Sequence, residues 1–125
     1  MTMIVAYDGR QNTEKALDFA IKNASVYGES LRIITVLTKS TDSEISRVHE
    51  YMEKALEKAV QNNVDATITM ESGQPEKVIL QACKRFNCST IIVGRSSKTS
   101  FDRIVMGSVS NYVVANAKCT VIVVQ

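Results

Sequence analysis

Two kinds of segment alternate along the chain: short runs dense in Val, Ile and Thr, and longer runs whose apolar residues return every three or four positions. The short runs, Met3–Tyr7, Leu31–Leu37, Ala66–Glu71, Thr90–Val93 and Thr120–Val124, predict five strands. Most are continuously apolar rather than alternating, as in strands covered by helices on both faces. Between them, Leu17, Ala20, Ile21 and Ala24 share a stripe and predict a helix over Thr13–Tyr27, with Asn12 as its N-cap and Gly28 as the left-handed residue that ends it. A second helix buries Ile45, Val48, Met52, Leu56 and Ala59 behind a capping box of Thr41 and Glu44. The only proline, Pro75, suits the first turn of a third helix that buries Val78, Ile79, Ala82 and Cys83. A fourth starts near Gly107 and turns Val109 and Val113 inward.

Alternation of this kind implies a parallel sheet with right-handed crossovers. The expected architecture is α/β and Rossmann-like: a five-stranded parallel sheet in the order 3-2-1-4-5 with helices on both faces. Its switch point lies between the first and fourth strands, and ligands of such sheets bind just beyond the carboxyl ends of the strands there. Asp8-Gly9 and Gly94-Arg95-Ser96-Ser97 are therefore expected to face each other across a crevice.

Composition narrows the class without pointing to a ligand. The 125 residues fit one domain, and 45% apolar with 22% charged residues is ordinary for a globular protein. A formal charge of +2 gives no argument for a nucleic-acid partner. The start Met1-Thr2-Met3-Ile4-Val5 runs directly into a strand without the pattern of a signal peptide, and no apolar run approaches the ~20 residues that cross a bilayer. A cytoplasmic protein with no membrane partner is expected. The three cysteines, Cys83, Cys88 and Cys119, lack CxxC spacing, so neither a disulfide framework nor a zinc site is expected and they are taken as buried thiols.

The chemistry concentrates between Gly94 and Ser108. Two glycines, Gly94 and Gly107, bracket a polar loop that delivers the chain to a helix, whose first N–H groups and partial positive charge suit phosphate oxygens. Ser108 adds a hydroxyl, and Arg95, Lys98 and Arg103 give the loop positive character. The same residues also suit a plain strand-to-helix connection with Gly94 in a turn and Ser108 as a cap. Asp8 likewise suits either a ligand or a local turn or cap. On the ligand reading, removing the Asp8 or Ser108 side chain weakens binding and leaves the stability of the free protein nearly unchanged.

Other signatures are missing. GxGxxG would have to follow the first strand, where the chain reads Asp8-Gly9-Arg10-Gln11-Asn12, and a P-loop would need glycine at Ile92 and Ser97. A phosphorelay receiver would need an aspartate where Met70-Glu71 stand and a lysine after the fifth strand. His49, the sole histidine, sits beside Glu50 on a solvated helix face, so no catalytic residue is assigned.

The segment Gly94…Gly107-Ser108, with Val109-Ser110-Asn111-Tyr112-Val113-Val114 and the terminal Cys119-Thr120-Val121-Ile122-Val123-Val124, resembles the universal stress protein family over the whole chain. Ile4-Val5-Ala6-Tyr7-Asp8, Gly73-Gln74-Pro75 and Ile91-Ile92-Val93-Gly94 look like that family's first strand, third-helix entry and fourth strand. Its ATP-binding branch carries G-x2-G-x9-G-[S/T], and here Ser97 stands at the middle glycine. The resemblance implies an adenine nucleotide alpha hydrolase-like fold and ATP as ligand, with magnesium a possible companion. It places Asp8 near the ribose, backbone at Val36 on the adenine edge, and Gly94, Gly107, Ser108 and Val109 around the phosphates, with Arg95 and Ser97 in the same loop. The function implied is a nucleotide-responsive regulatory or stress-tolerance factor. A nucleotide-free interaction module and a slow ATP hydrolase stand as alternatives. Thr120–Val124, at the sheet edge, is expected to pair with its counterpart in a homodimer.

Overall fold

The computed structural model describes residues 1–95 and 107–125. Strand and helix alternate throughout, as β1 (Thr2–Ala6), α1 (Gln11–Tyr27), β2 (Ser30–Leu37), α2 (Asp42–Gln61), β3 (Ala66–Ser72), α3 (Pro75–Phe86), β4 (Cys88–Gly94), α4 (Ser108–Asn116) and β5 (Thr120–Val124). The strands form one sheet in the order β3-β2-β1-β4-β5, every neighbouring pair parallel. This is the expected fold class and strand order.

Continuous apolar runs are explained by where each side chain goes. Met3 and Val5 pack with Leu17, Ala20 and Met52 under α1 and α2, whereas Ile4 between them packs with Ile79 and Val113 under α3 and α4. Successive residues of a strand point to opposite faces, so a strand roofed on both sides needs apolar residues at every position. Burying one such side chain contributes about 1.5–3 kcal/mol.

Helix ends follow local chemistry, with some departures from expectation. Gly28, at φ 65, ends α1 as anticipated, but the N-cap is Arg10 rather than Asn12. Asp8 causes the shift: its Oδ1 accepts the Arg10 N–H at 2.9 Å, a side-chain turn that sets the helix going two residues early. In α2 the Thr41 hydroxyl accepts the Glu44 N–H at 3.2 Å, as a capping box requires. The reciprocal bond differs, because the Glu44 carboxylate reaches past Thr41 to the N–H groups of Lys39 and Ser40, at 2.9 and 2.8 Å. Ile45 is exposed in the first turn of α2, and the buried stripe runs through Val48, Met52, Ala55 and Ala59.

The cysteines depart from expectation as well. Cys83 and Cys88 form a disulfide, and Cys119 is free and half-buried. Asn87, left-handed at φ 51, ends α3 and folds the chain straight into β4, bringing the two Cα atoms to 4.8 Å. Among the described residues no helix is long and apolar enough to cross a membrane.

Candidate functional site

β1 and β4 lie side by side, and the chain leaves them in opposite directions, towards β2 from one and towards β5 from the other. The space beyond their carboxyl ends is a cleft of ≈ 620 Å³, within the roughly 300–1,000 Å³ usual for small-molecule sites. Asp8, Val36, Gly94, Gly107, Ser108 and Val109 all line it. Six of the residues singled out in the sequence are thus brought together. Arg95 is not among the lining residues: its N–H donates to Val124 O at 2.9 Å and its guanidinium to Gln125 Oε1 at 2.8 Å, at the end of β5. Ser97, Lys98 and Arg103 lie outside the described residues.

Each wall has a local cause. Asp8 is held by its own turn: Oδ1 accepts from the Arg10 N–H and from the Thr13 hydroxyl at 2.7 Å, while Arg10 Nε lies 3.7 Å from Oδ2. Gly9 has φ +81, and a Cβ there would come within 2.9 Å of the Tyr51 ring, so both backbone and packing call for glycine. At Gly94 the need is proximity, because a Cβ would meet Asn12 O at 3.1 Å where β4 passes the start of α1. Val36 enters through its backbone. Tyr7 N–H donates to Ile34 O at 2.8 Å, and backbone groups two residues further along β2 point the same way, beyond the end of β1 and into the cleft.

The first turn of α4 forms the remaining wall. Gly107 is its N-cap and supplies no capping side chain, so among the described residues no cap side chain closes off the opening N–H groups of the helix. Two bonds fix this turn against β4: Gly107 N–H to Arg95 O at 3.0 Å and the buried Ser110 hydroxyl to Gly94 O at 2.7 Å. The sequence reading missed Ser110, because a serine in a helix's first turn resembles many others until its acceptor is known.

A second missed group forms the floor. The Tyr7 and Tyr51 rings meet edge to face, 5.5 Å between centroids at 88°. Thr35, buried in β2, lies with its hydroxyl 2.8 Å from the Tyr51 hydroxyl and donates to Tyr7 O. Tyr7 donates to Glu14, whose other oxygen accepts from Lys58 at 2.6 Å. Burial, then the bond to Glu14, pushes the Tyr7 phenol well above its ordinary value. Burial raises the Tyr51 phenol against the opposing bond to Thr35. Burial also works to raise the Glu14 carboxyl, but hydrogen bonds from Lys58 and Tyr7 outweigh it and hold it below the usual range. At the rim, the N–H groups of Lys39 and Ser40 lower the Glu44 carboxyl.

A parallel sheet with a carboxylate at one strand end and a helix N-terminus opposite is the arrangement of the α/β class, whose ligands lie at the switch point. Comparison with known proteins makes the class specific: the model of the universal stress protein family matches residues 1–125, and the chain belongs to that family. The universal stress protein YxiE of Bacillus subtilis is 30% identical, the match covering 98% of this chain and 97% of that protein. Among solved structures, a universal stress protein UspA from Lactobacillus plantarum superposes with a TM-score of 0.90 at 20% identity, covering 100% of this chain and 97% of its own. A universal stress protein from Archaeoglobus fulgidus, described in complex with dAMP, gives 0.84 at 21% identity, covering 100% and 98%.

Proposed function

We propose that the cleft binds an adenine nucleotide, with ATP as the ligand, and that occupancy changes how the protein engages its partners. One observation carries this: the first turn of α4, whose N-cap Gly107 supplies no capping side chain, faces the same cleft as Asp8 and the backbone of β2 at Val36. The three surfaces suit three parts of a nucleotide. N–H groups at a helix N-terminus suit phosphate oxygens, a carboxylate accepts from ribose hydroxyls, and a strand edge offers a donor and an acceptor to the rim of a base. The Archaeoglobus fulgidus relative, described with dAMP, supports an adenine ligand.

No group in the cleft is assigned a catalytic role, and magnesium, where present, would accompany the phosphates. The protein acts in the cytoplasm as a homodimer through β5, the edge strand, in this reading. Mass spectrometry of the supernatant from freshly purified, denatured protein is expected to show a stoichiometric adenine nucleotide. Calorimetry on the stripped protein is expected to show heat on addition of millimolar ATP. No nucleotide and no heat would leave a nucleotide-free interaction module.

A further inference from the structure

At the other end of the strands, three elements bring every cysteine of the chain to one point. Cys83 lies near the end of α3, Cys88 opens β4 and Cys119 directly precedes β5. Cys119 Sγ is 3.5 Å from Cys83 Sγ and 3.9 Å from Cys88 Sγ. Cys88 is buried in the apolar cluster under α3 and α4, while Cys83 and Cys119 are half-buried.

Filling space does not require sulfur three times over, since alanine or valine packs equally well. A cation equidistant from three thiolates at about 2.3 Å needs them about 4 Å apart. The Cys119–Cys88 separation already meets that requirement, the Cys119–Cys83 separation falls short of it, and the bonded pair has to open. Among the described residues no histidine or carboxylate joins the three sulfurs. His49 is on α2, against the opposite face of the sheet, where it pairs with Glu53.

We infer that Cys83, Cys88 and Cys119, once reduced, form a three-coordinate thiolate site for Cu(I). Soft thiolates favour Cu(I) and Zn²⁺ among the common cations, and Zn²⁺ in structural sites takes four ligands, one more than these residues supply. The disulfide is the closed, metal-free form of the same site. A dithiol reductant opens it, giving up two electrons and two protons to yield the Cys83 and Cys88 thiols and becoming a disulfide itself. The three thiols then release their protons to the buffer as the cation binds, and the copper keeps its oxidation state. The site lies at the end of the sheet away from the cleft and does not depend on nucleotide.

The test uses the full chain, reduced with a dithiol, freed of reductant without oxygen, and titrated with Cu(I) against a coloured Cu(I) chelator. One ion per chain is expected, with all three thiols shielded from alkylation when counted by mass spectrometry and sulfur-only coordination by X-ray absorption. Cys119→Ser is expected to lose more affinity than the roughly 10–100-fold that follows removal of an outer-shell partner. Two or fewer shielded thiols, or an unchanged affinity in Cys119→Ser, overturns the site. Preference for Zn²⁺ with a fourth ligand overturns its assignment to Cu(I). Should circular dichroism show that the variant is unfolded, the wild-type thiol count and X-ray absorption decide.

Discussion

Asp8 does two jobs, and two substitutions separate them. Its Oδ1 holds the entry to α1 by accepting from Arg10 N–H and the Thr13 hydroxyl, which is local structure. Its charge faces the cleft, which is where a ribose would lie in the proposed complex. Asparagine keeps the Oδ1 acceptor and removes the charge. Asp8→Asn is therefore expected to leave urea stability nearly unchanged while weakening ATP on the order of tenfold, whereas Asp8→Ala also loses about 1 kcal/mol. Equal ATP affinity in wild type and Asp8→Asn would confine this residue to the turn. From the sequence, turn and ligand roles looked like alternatives, because the strand-end position fits both and only the bonding partners reveal that they coexist. Ser110 and Thr35 were illegible for the same reason: a hydroxyl's role lies in its acceptor, and the acceptors here, Gly94 O and Tyr7 O, are distant in sequence.

Between elements, the most telling link is the one joining α1 to α2. Lys58 on α2 reaches Glu14 and Asp18 on α1 at 2.6 and 2.7 Å, and Glu14 in turn anchors Tyr7 at the end of β1. The Glu14 carboxyl is held below its ordinary value of 4.5. A depressed carboxyl stabilises the fold above its unfolded pKa and loses that contribution as pH falls through the folded one. Glu14→Gln is accordingly expected to flatten the acid side of a urea stability profile below about pH 4.5 and to leave its shape near neutrality unchanged. An identical acid limb in the variant would mean that solvent screens the pair completely. Element types were legible because the apolar period changes cleanly between strand and helix. Boundaries and crosslinks were less so: Asp8 moved the start of α1, and the left-handed turn at Asn87 made a disulfide from a spacing that matches no familiar cysteine motif.

For the molecule as a whole, sheet order sets what remains exposed. β5 has β4 on one side and no described strand on the other. Arg95 N–H donates to Val124 O, so the backbone groups of Val124 and Ile122 turn towards β4 and those of Val123 and Val121 turn outward. Proline at an outward position removes an N–H that β4 does not use. Val123→Pro is expected to convert the proposed dimer to monomer in sedimentation velocity while the circular dichroism spectrum stays native; a dimer that persists would place the interface elsewhere. Strand direction has its own consequence. With all five strands running the same way, the molecule has a front and a back, separated along β4 by seven residues, or about 23 Å. On the proposed readings, a nucleotide at the front and a copper ion at the back would not crowd one another, and a single chain would have room to carry both cargoes at once.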